Sequence, residues 1–322
     1  MKVARAVPPA RRLPRAGLAA AFAAALAACT PVVDGAGAPP TAPGPAPEAP
    51  EPSAASAAMG VRLTRVQDSL LAQGLLRRDG GGTDTPFTAR MLAANFVRIA
   101  LFDEYAQVGG NFVSRATPSR LRRWAAPVRL NLEFGASVPA ETVAADRRVV
   151  AGLAARLARA SRHPVGMAAS ADTANFHVLV LNEDERAAAE PRLRALLPGI
   201  GSAALRTITE MERDTFCLVF AFTSGPGATY TDAVAVVRAE HPDLMRAACY
   251  HEEIAQGLGL ANDSPQARPS IFNDDEEFAP LTRHDELLLR ILYDPRLRPG
   301  MTVAEAQPIV EKIAEELVGG AV

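Results

Sequence analysis

The chain has almost no lysine. Of its 34 basic residues only Lys2 and Lys312 are lysines, and the other 32 are arginines dispersed among 36 acids. Such dispersion makes no basic patch and argues against nucleic-acid binding, which needs a clustered cationic face. No apolar run reaches the roughly 18–20 residues of a spanning helix, which excludes a multi-pass membrane protein. The sequence also has no G-x-S-x-G, no phosphate-binding P-loop and no G-x-G-x-x-G, so it carries no signature of serine-hydrolase or nucleotide chemistry. What is present is 322 residues with a formal charge of −2 and 48% hydrophobic content. That is enough for a substantial core, in two domains or in one large domain with an extension.

The N-terminus is organised as an address. Residues 1–28 contain Lys2, Arg5, Arg11, Arg12 and Arg15 and no acid, followed by a 12-residue apolar run from Gly17 to Ala28. A charged stretch and a short apolar run of small residues make an export signal, too short to span a bilayer as a mature helix. The run ends Leu26-Ala27-Ala28-Cys29, which resembles the lipobox of bacterial lipoproteins. The resemblance implies cleavage before Cys29, acylation of that cysteine and anchoring in the cell envelope. Thr30 in place of an aspartate implies the outer membrane, facing the periplasm. The mature chain would carry 29 bases against 36 acids, a charge of −7. Such a charge gives no general attraction to anionic lipid, so the acyl chains would do the anchoring.

Residues 29–58 read as the lipidated cysteine and a disordered tether. Eight prolines among Ala, Gly, Ser and Glu leave too little apolar surface to offset ordering. Folded sequence is expected from about Met59, with residues 59–115 helical and 116–322 forming the main domain. Val61, Leu63, Val66, Leu70, Leu71 and Leu75 fit a helical stripe, and a second helix is predicted from Thr88 to Ala106. Strands are predicted at Val128–Phe134, Phe176–Leu181, Thr215–Thr223 and Ala233–Val237. Helices are predicted at Glu141–Ala160, Glu183–Leu197, Pro242–Leu258 and Arg283–Leu292. The order reads as α+β: a mixed sheet with long helices, then a helical C-terminal part.

With Cys29 acylated, Cys217 and Cys249 remain. An even pair in an exported chain suggests a disulfide, closing a loop of about 30 residues worth ~3 kcal/mol; two small buried thiols are the alternative.

The most informative stretch is Tyr250-His251-Glu252-Glu253-Ile254-Ala255-Gln256-Gly257-Leu258-Gly259-Leu260-Ala261-Asn262-Asp263. Read from Glu252 it has the spacing of H-E-x-x-H-x-x-G-x-x-H, and in that respect resembles the metzincin zinc-peptidase signature. Glu252, Gln256 and Asn262 stand at the three histidine places. Glu253 keeps the general-base acid and Gly259 the turn glycine. Positions 252 and 256 share a helix face. Downstream, Ser270-Ile271-Phe272-Asn273 stands where metzincins have their methionine turn, with Phe272 in the methionine place. The helix ending Leu292-Tyr293-Asp294 resembles their closing helix. The resemblance covers residues 120–295 and implies a metzincin-like domain. The Glu-Glu-x-x-Gln-x-Leu-Gly-Leu-x-Asn-Asp core, Ser-Ile-Phe-Asn-Asp-Asp and the 292–301 segment also resemble an uncharacterised family of bacterial exported proteins and lipoproteins.

One carboxylate and two amides make a poor zinc set; with Asp263 they suit a hard cation such as calcium better. No cofactor is therefore expected, with a divalent cation, zinc or calcium, at Glu252, Gln256, Asn262 and Asp263 as the alternative. A buried Glu252–Gln256 hydrogen-bonded pair would need no ligand at all. The acidic run Asn273–Glu277 reads as a solvated loop, His251 as an outward residue, and His284-Asp285 as a helix N-terminal feature. His163, His177 and His241 have no ligand spacing. The sequence thus favours a non-catalytic module binding a peptide or envelope-protein partner in the relic cleft. The competing reading is a metal-dependent peptidase-like hydrolase with Glu253 as base.

Overall fold

The computed structural model describes residues 51–108, 111–223, 227–273 and 275–319. The segments expected as signal and tether lie outside the described residues as far as residue 50, Cys29 included; residues 54–58, expected to be disordered, are instead the first residues of a helix. Glu48–Val322 form one compact unit.

The chain enters through α1 (Ala54–Ala72), capped by the Ser53 hydroxyl at the Ser56 N–H. Only part of its expected stripe turns inward. Met59 and Leu63 are buried, whereas Val61 and Leu71 are exposed. Thr88 caps α2 (Ala89–Ala100), which buries Leu92, Phe96 and Ile99. The helix predicted to run to Ala106 stops there. A hairpin follows instead, β1 (Phe102–Val108) against β2 (Asn111–Pro118), antiparallel with Val108 opposite Asn111. The intervening Gly109-Gly110 is the kind of dipeptide that two-residue hairpin loops favour.

The main sheet is then assembled. Its strands are β3 (Arg123–Trp124), β4 (Val128–Phe134), β5 (Val165–Met167), β6 (Phe176–Leu181), β7 (Cys217–Thr223) and β8 (Thr229–Arg238). The order across it is β5-β4-β6-β8-β7, and β3 pairs the first residues of β8. All pairings are parallel except that of β7, which lies antiparallel at the edge. Connecting helices are α3 (Ala140–Ser161), α4 (Glu183–Ala187), α5 (Glu190–Leu196) and α6 (Ser202–Thr209). After the sheet come α7 (Asp243–Gly257), α8 (Arg283–Leu292) and α9 (Val303–Gly319). The helix expected over Glu183–Leu197 is thus two short ones.

Alternation along β6 and β8 sorts the core. Phe176, Val178, Val180, Ala233, Ala235 and Val237 face the side packed by α3 and α7. Leu179, Val234 and Val236 face the side packed by α5 and α6. A strand buried on both faces needs apolar residues at consecutive positions, and 233–237 has them. The expected class holds: α+β, a mixed sheet with a helical C-terminal part. Among the described residues no helix is long and apolar enough to cross a membrane.

Candidate functional site

Helix α7 carries the motif, and it is fixed at three heights. Near its start the Arg246 guanidinium donates to Asp146 of α3 at 2.7 and 3.2 Å, and Tyr250 donates to the same carboxylate at 2.8 Å. In the middle, Cys249 is disulfide-bonded to Cys217 at the start of β7, with Cα atoms 5.9 Å apart. This is the bridge the two cysteines suggested. At its end, Gly257 lies so close to the sheet that a Cβ there would stand 2.5 Å from the Phe176 ring. The Gly257 carbonyl accepts the Trp124 indole N–H at 2.8 Å.

The chain then turns at Gly259, where φ is +126° and a Cβ would meet the Arg122 carbonyl oxygen at 2.3 Å. Only glycine fits such a position. Past the turn, Gln256 Nε2 donates to both oxygens of Asp263, at 3.0 and 3.1 Å. Asn262 faces α2 instead. Its backbone N–H donates to Ile99 O at 3.0 Å and its Nδ2 to Arg98 O at 2.8 Å. These are carbonyls at the open end of α2, which lack partners within the helix.

Glu252 and Glu253 point toward the Cys217 end of β7. One oxygen of each and Cys217 Sγ all lie within 4.8 Å of one another. That sulfur is in the disulfide, so it is no thiolate donor. Glu253 is 4% exposed and its Oε2 has no hydrogen-bond partner. Burial, then the charges of Asp263 and Glu253, push the Glu252 carboxyl well above its ordinary range. Burial, then Glu104 and Asp263, do the same to Glu253. Such a pair retains a proton unless a cation arrives. It can therefore hold and release a proton or receive a positive group.

A catalytic zinc does not fit these residues. Zinc prefers imidazole and thiolate donors. Here the three corresponding places offer a carboxylate, an amide whose nitrogen faces Asp263, and an amide whose nitrogen is bound to α2.

The flanking candidates have other tasks. Asp285 is completely buried, accepting from Ser270 Oγ at 2.5 Å, Ile271 N at 3.2 Å and Thr282 N at 2.7 Å. It is the third residue of the α8 capping box, and it ties the 270–272 turn to that helix. Phe272 is sealed in the core. His251, expected to face outward, is half-buried and its Nδ1 accepts the Leu281 N–H at 3.2 Å. Burial and the Arg156 charge hold it down to about 4. The acidic run is not a free solvated loop either. The Glu276 and Glu277 carbonyls accept from Leu76 N at 2.7 Å and Arg77 N at 2.8 Å, and Arg268 pairs with Asp275 and Glu277. Glu276 also adds to the field on Glu252. Sequence reasoning missed Glu104 and the Asp146–Arg246–Tyr250 cluster as parts of this neighbourhood. Glu104 and Asp146 are remote in sequence, with no local pattern to flag them.

Residues 89–312 match the family described as Protein of unknown function (DUF2927). The chain belongs to that family. Its matched stretch starts at the first residue of α2 and includes the hairpin, the sheet, α7 and α8. No curated protein and no solved structure matches the chain.

Proposed function

We propose that this chain is a lipid-anchored protein of the bacterial envelope, held at the outer membrane through Cys29, whose domain binds an extended peptide segment without cutting it. The segment would lie along the edge of β7 that faces away from β8 and place a basic side chain among Glu252, Glu253 and Asp263. The observation that carries this reading is the orphaned, buried Oε2 of Glu253 beside Glu252 at the Cys217 end of that strand. Among the described residues β7 pairs only with β8, so its other edge has backbone groups suited to strand addition. A lysine or arginine entering the cluster would satisfy the Glu253 oxygen and lower both raised carboxyls. The substituted ligand places support binding over hydrolysis, and the lipobox supports the anchoring.

The test is an array of extended peptides, with and without lysine or arginine, probed with the purified chain. Basic peptides should be retained, less so at high salt, and retention should fall at least tenfold for the Glu252→Gln/Glu253→Gln variant. Equal retention by that variant, or no preference for basic peptides, would overturn the reading.

A second reading rests on the convergence of the Glu252 and Glu253 oxygens within 4.8 Å: a metal-dependent hydrolase with Glu253 as base. Stoichiometric metal in protein purified without added metal, with peptide-cleaving activity that Glu253→Ala abolishes, would establish it in place of the first.

A further inference from the structure

Between α3 and α8, which pack against each other, lies an open concavity of about 310 Å³ that Leu317 of α9 also lines. Arg156 and Arg159 line it from α3; Arg283, Glu286 and Arg290 line it from α8. These positions follow from helix geometry. Residues 156 and 159 are one turn apart, and 283, 286 and 290 stand at i, i+3 and i+7 on one face. Four guanidinium groups thus meet one carboxylate, in a chain whose mature charge would be −7.

Two of the four are held rigidly. Arg156 Nε donates to Glu286 at 2.6 Å and its Nη2 to Leu281 O at 2.7 Å. Arg290 Nε donates to Ala160 O at 2.6 Å and its Nη2 to Arg159 O at 2.7 Å. Among the described residues each arrangement leaves Nη1 without a protein acceptor. Among the described residues Arg290 is hydrogen-bonded to backbone carbonyls only, so its orientation is set, while Glu286 acts on it through space. Arg290 also offsets the negative end of the α3 dipole, which would otherwise repel an anion. Desolvation and the nearby Arg162 charge hold the Arg290 guanidinium below its ordinary value. Arg159 and Arg283 are exposed and form no ion pair among the described residues. Preoriented guanidinium forks around a small concavity suit the tetrahedral oxygens of a phosphate.

We infer that the α3–α8 cavity is an anion-binding site for a phosphate group, carried by a small phosphorylated molecule or by a phospholipid headgroup. The site is opposite in charge to the carboxylate cluster, and it does not depend on the peptide-binding reading.

Two arms of one experiment test it on the purified full chain. Calorimetric titration with inorganic phosphate and pyrophosphate reads the free-ligand source. Co-sedimentation with phosphatidylglycerol vesicles, against phosphatidylcholine vesicles that carry a neutral headgroup, reads the lipid source. The lipid arm uses a Cys29→Ser chain, so that acylation does not mask it. Saturable binding in either arm, weakened at least tenfold by Arg159→Gln/Arg283→Gln, supports the site and names the source. Both residues are exposed, so the variant should keep the wild-type circular dichroism and urea midpoint. Binding in neither arm, or binding that the variant leaves unchanged, overturns the inference.

Discussion

Gln256 Nε2 lies 3.0 and 3.1 Å from the two carboxylate oxygens of Asp263. That contact folds the chain beyond Gly259 back onto the end of α7, joining two of the residues singled out by the motif. It leaves Asn262 on the opposite side, bonded to α2. The motif region is therefore a strut between α2 and α7 as well as the floor of an acidic cluster.

Gly259→Ala should be among the most damaging small substitutions in the chain. The φ of +126° and the 2.3 Å approach to the Arg122 carbonyl combine backbone strain with a clash against main chain, a loss of about 2–4 kcal/mol. Gly152→Ala is the control. It sits inside α3 with nothing within 4 Å of an added Cβ, and it should gain about 0.5–1 kcal/mol. Urea unfolding of both variants checks the pair.

The buried carboxyl pair should make stability fall with pH from about 4.5 upward. Glu252 and Glu253 are raised above the ordinary 4.5. The folded chain therefore keeps protons that the unfolded chain has released, and their contribution, full below pH 4.5, is lost as pH climbs through the raised values. His241 and His251, pushed down to about 4 by burial, act in the opposite sense. Their contribution is present above pH 6.5 and lost as pH falls toward 4. The carboxylate effect is thus read in urea unfolding as the difference between the wild type and Glu252→Gln/Glu253→Gln, in which the histidines act alike. From about pH 4.5 upward the wild type should lose stability relative to that variant, by at most about 1.4 kcal/mol per pH unit for each retained proton. A difference that stays constant with pH would overturn it.

Asp146→Ala should cost about 3–5 kcal/mol, because it strands Arg246 and Tyr250 in the core. Replacing Arg246 as well, in Asp146→Leu/Arg246→Met, should cost less than the single change, since no buried charge is then left unpaired. Guanidinium unfolding of the two variants and the wild type decides it. A double variant less stable than Asp146→Ala would show that Arg246 matters through its bonds to the His241 carbonyl and Asp243.

Much of the frame was legible in the sequence. Phe176–Leu181 and Arg283–Leu292 have the predicted bounds, because a consecutive apolar run and a Thr-x-x-Asp capping box are local signals. The hairpin was hidden by α2, whose inward spacing continues through Phe102, so only Gly109-Gly110 marked the change of period. β3 and β5, with two and three residues, are too short for alternation to register. At the site, the spacing of Glu252, Gln256 and Gly259 foretold a helix and a turn. It could not show that Asn262 faces α2, since that depends on where the end of a helix 160 residues earlier comes to lie. The acidity around Glu253 was likewise partly invisible, since Glu104 arrives from the hairpin.

Cysteine reduction offers a further measurement. Cys217→Ser/Cys249→Ser should lower stability by about 3 kcal/mol, as expected for a loop spanning 32 residues. Dithiothreitol should bring the wild type to a similar urea midpoint.

The two ends of that crosslink sit in unlike surroundings. Cys217 Sγ adjoins Glu252 and Glu253, while Cys249 Sγ lies 3.8 Å from the His241 ring nitrogen. Glu252 and Glu253 keep a proton between them, so the surroundings of Cys217 set little barrier to the incoming thiolate of a reductant. Cys249 is buried and Cys217 half-buried, so a reductant reaches the crosslink at Cys217, Cys249 leaves, and a trapped mixed disulfide should be found on β7.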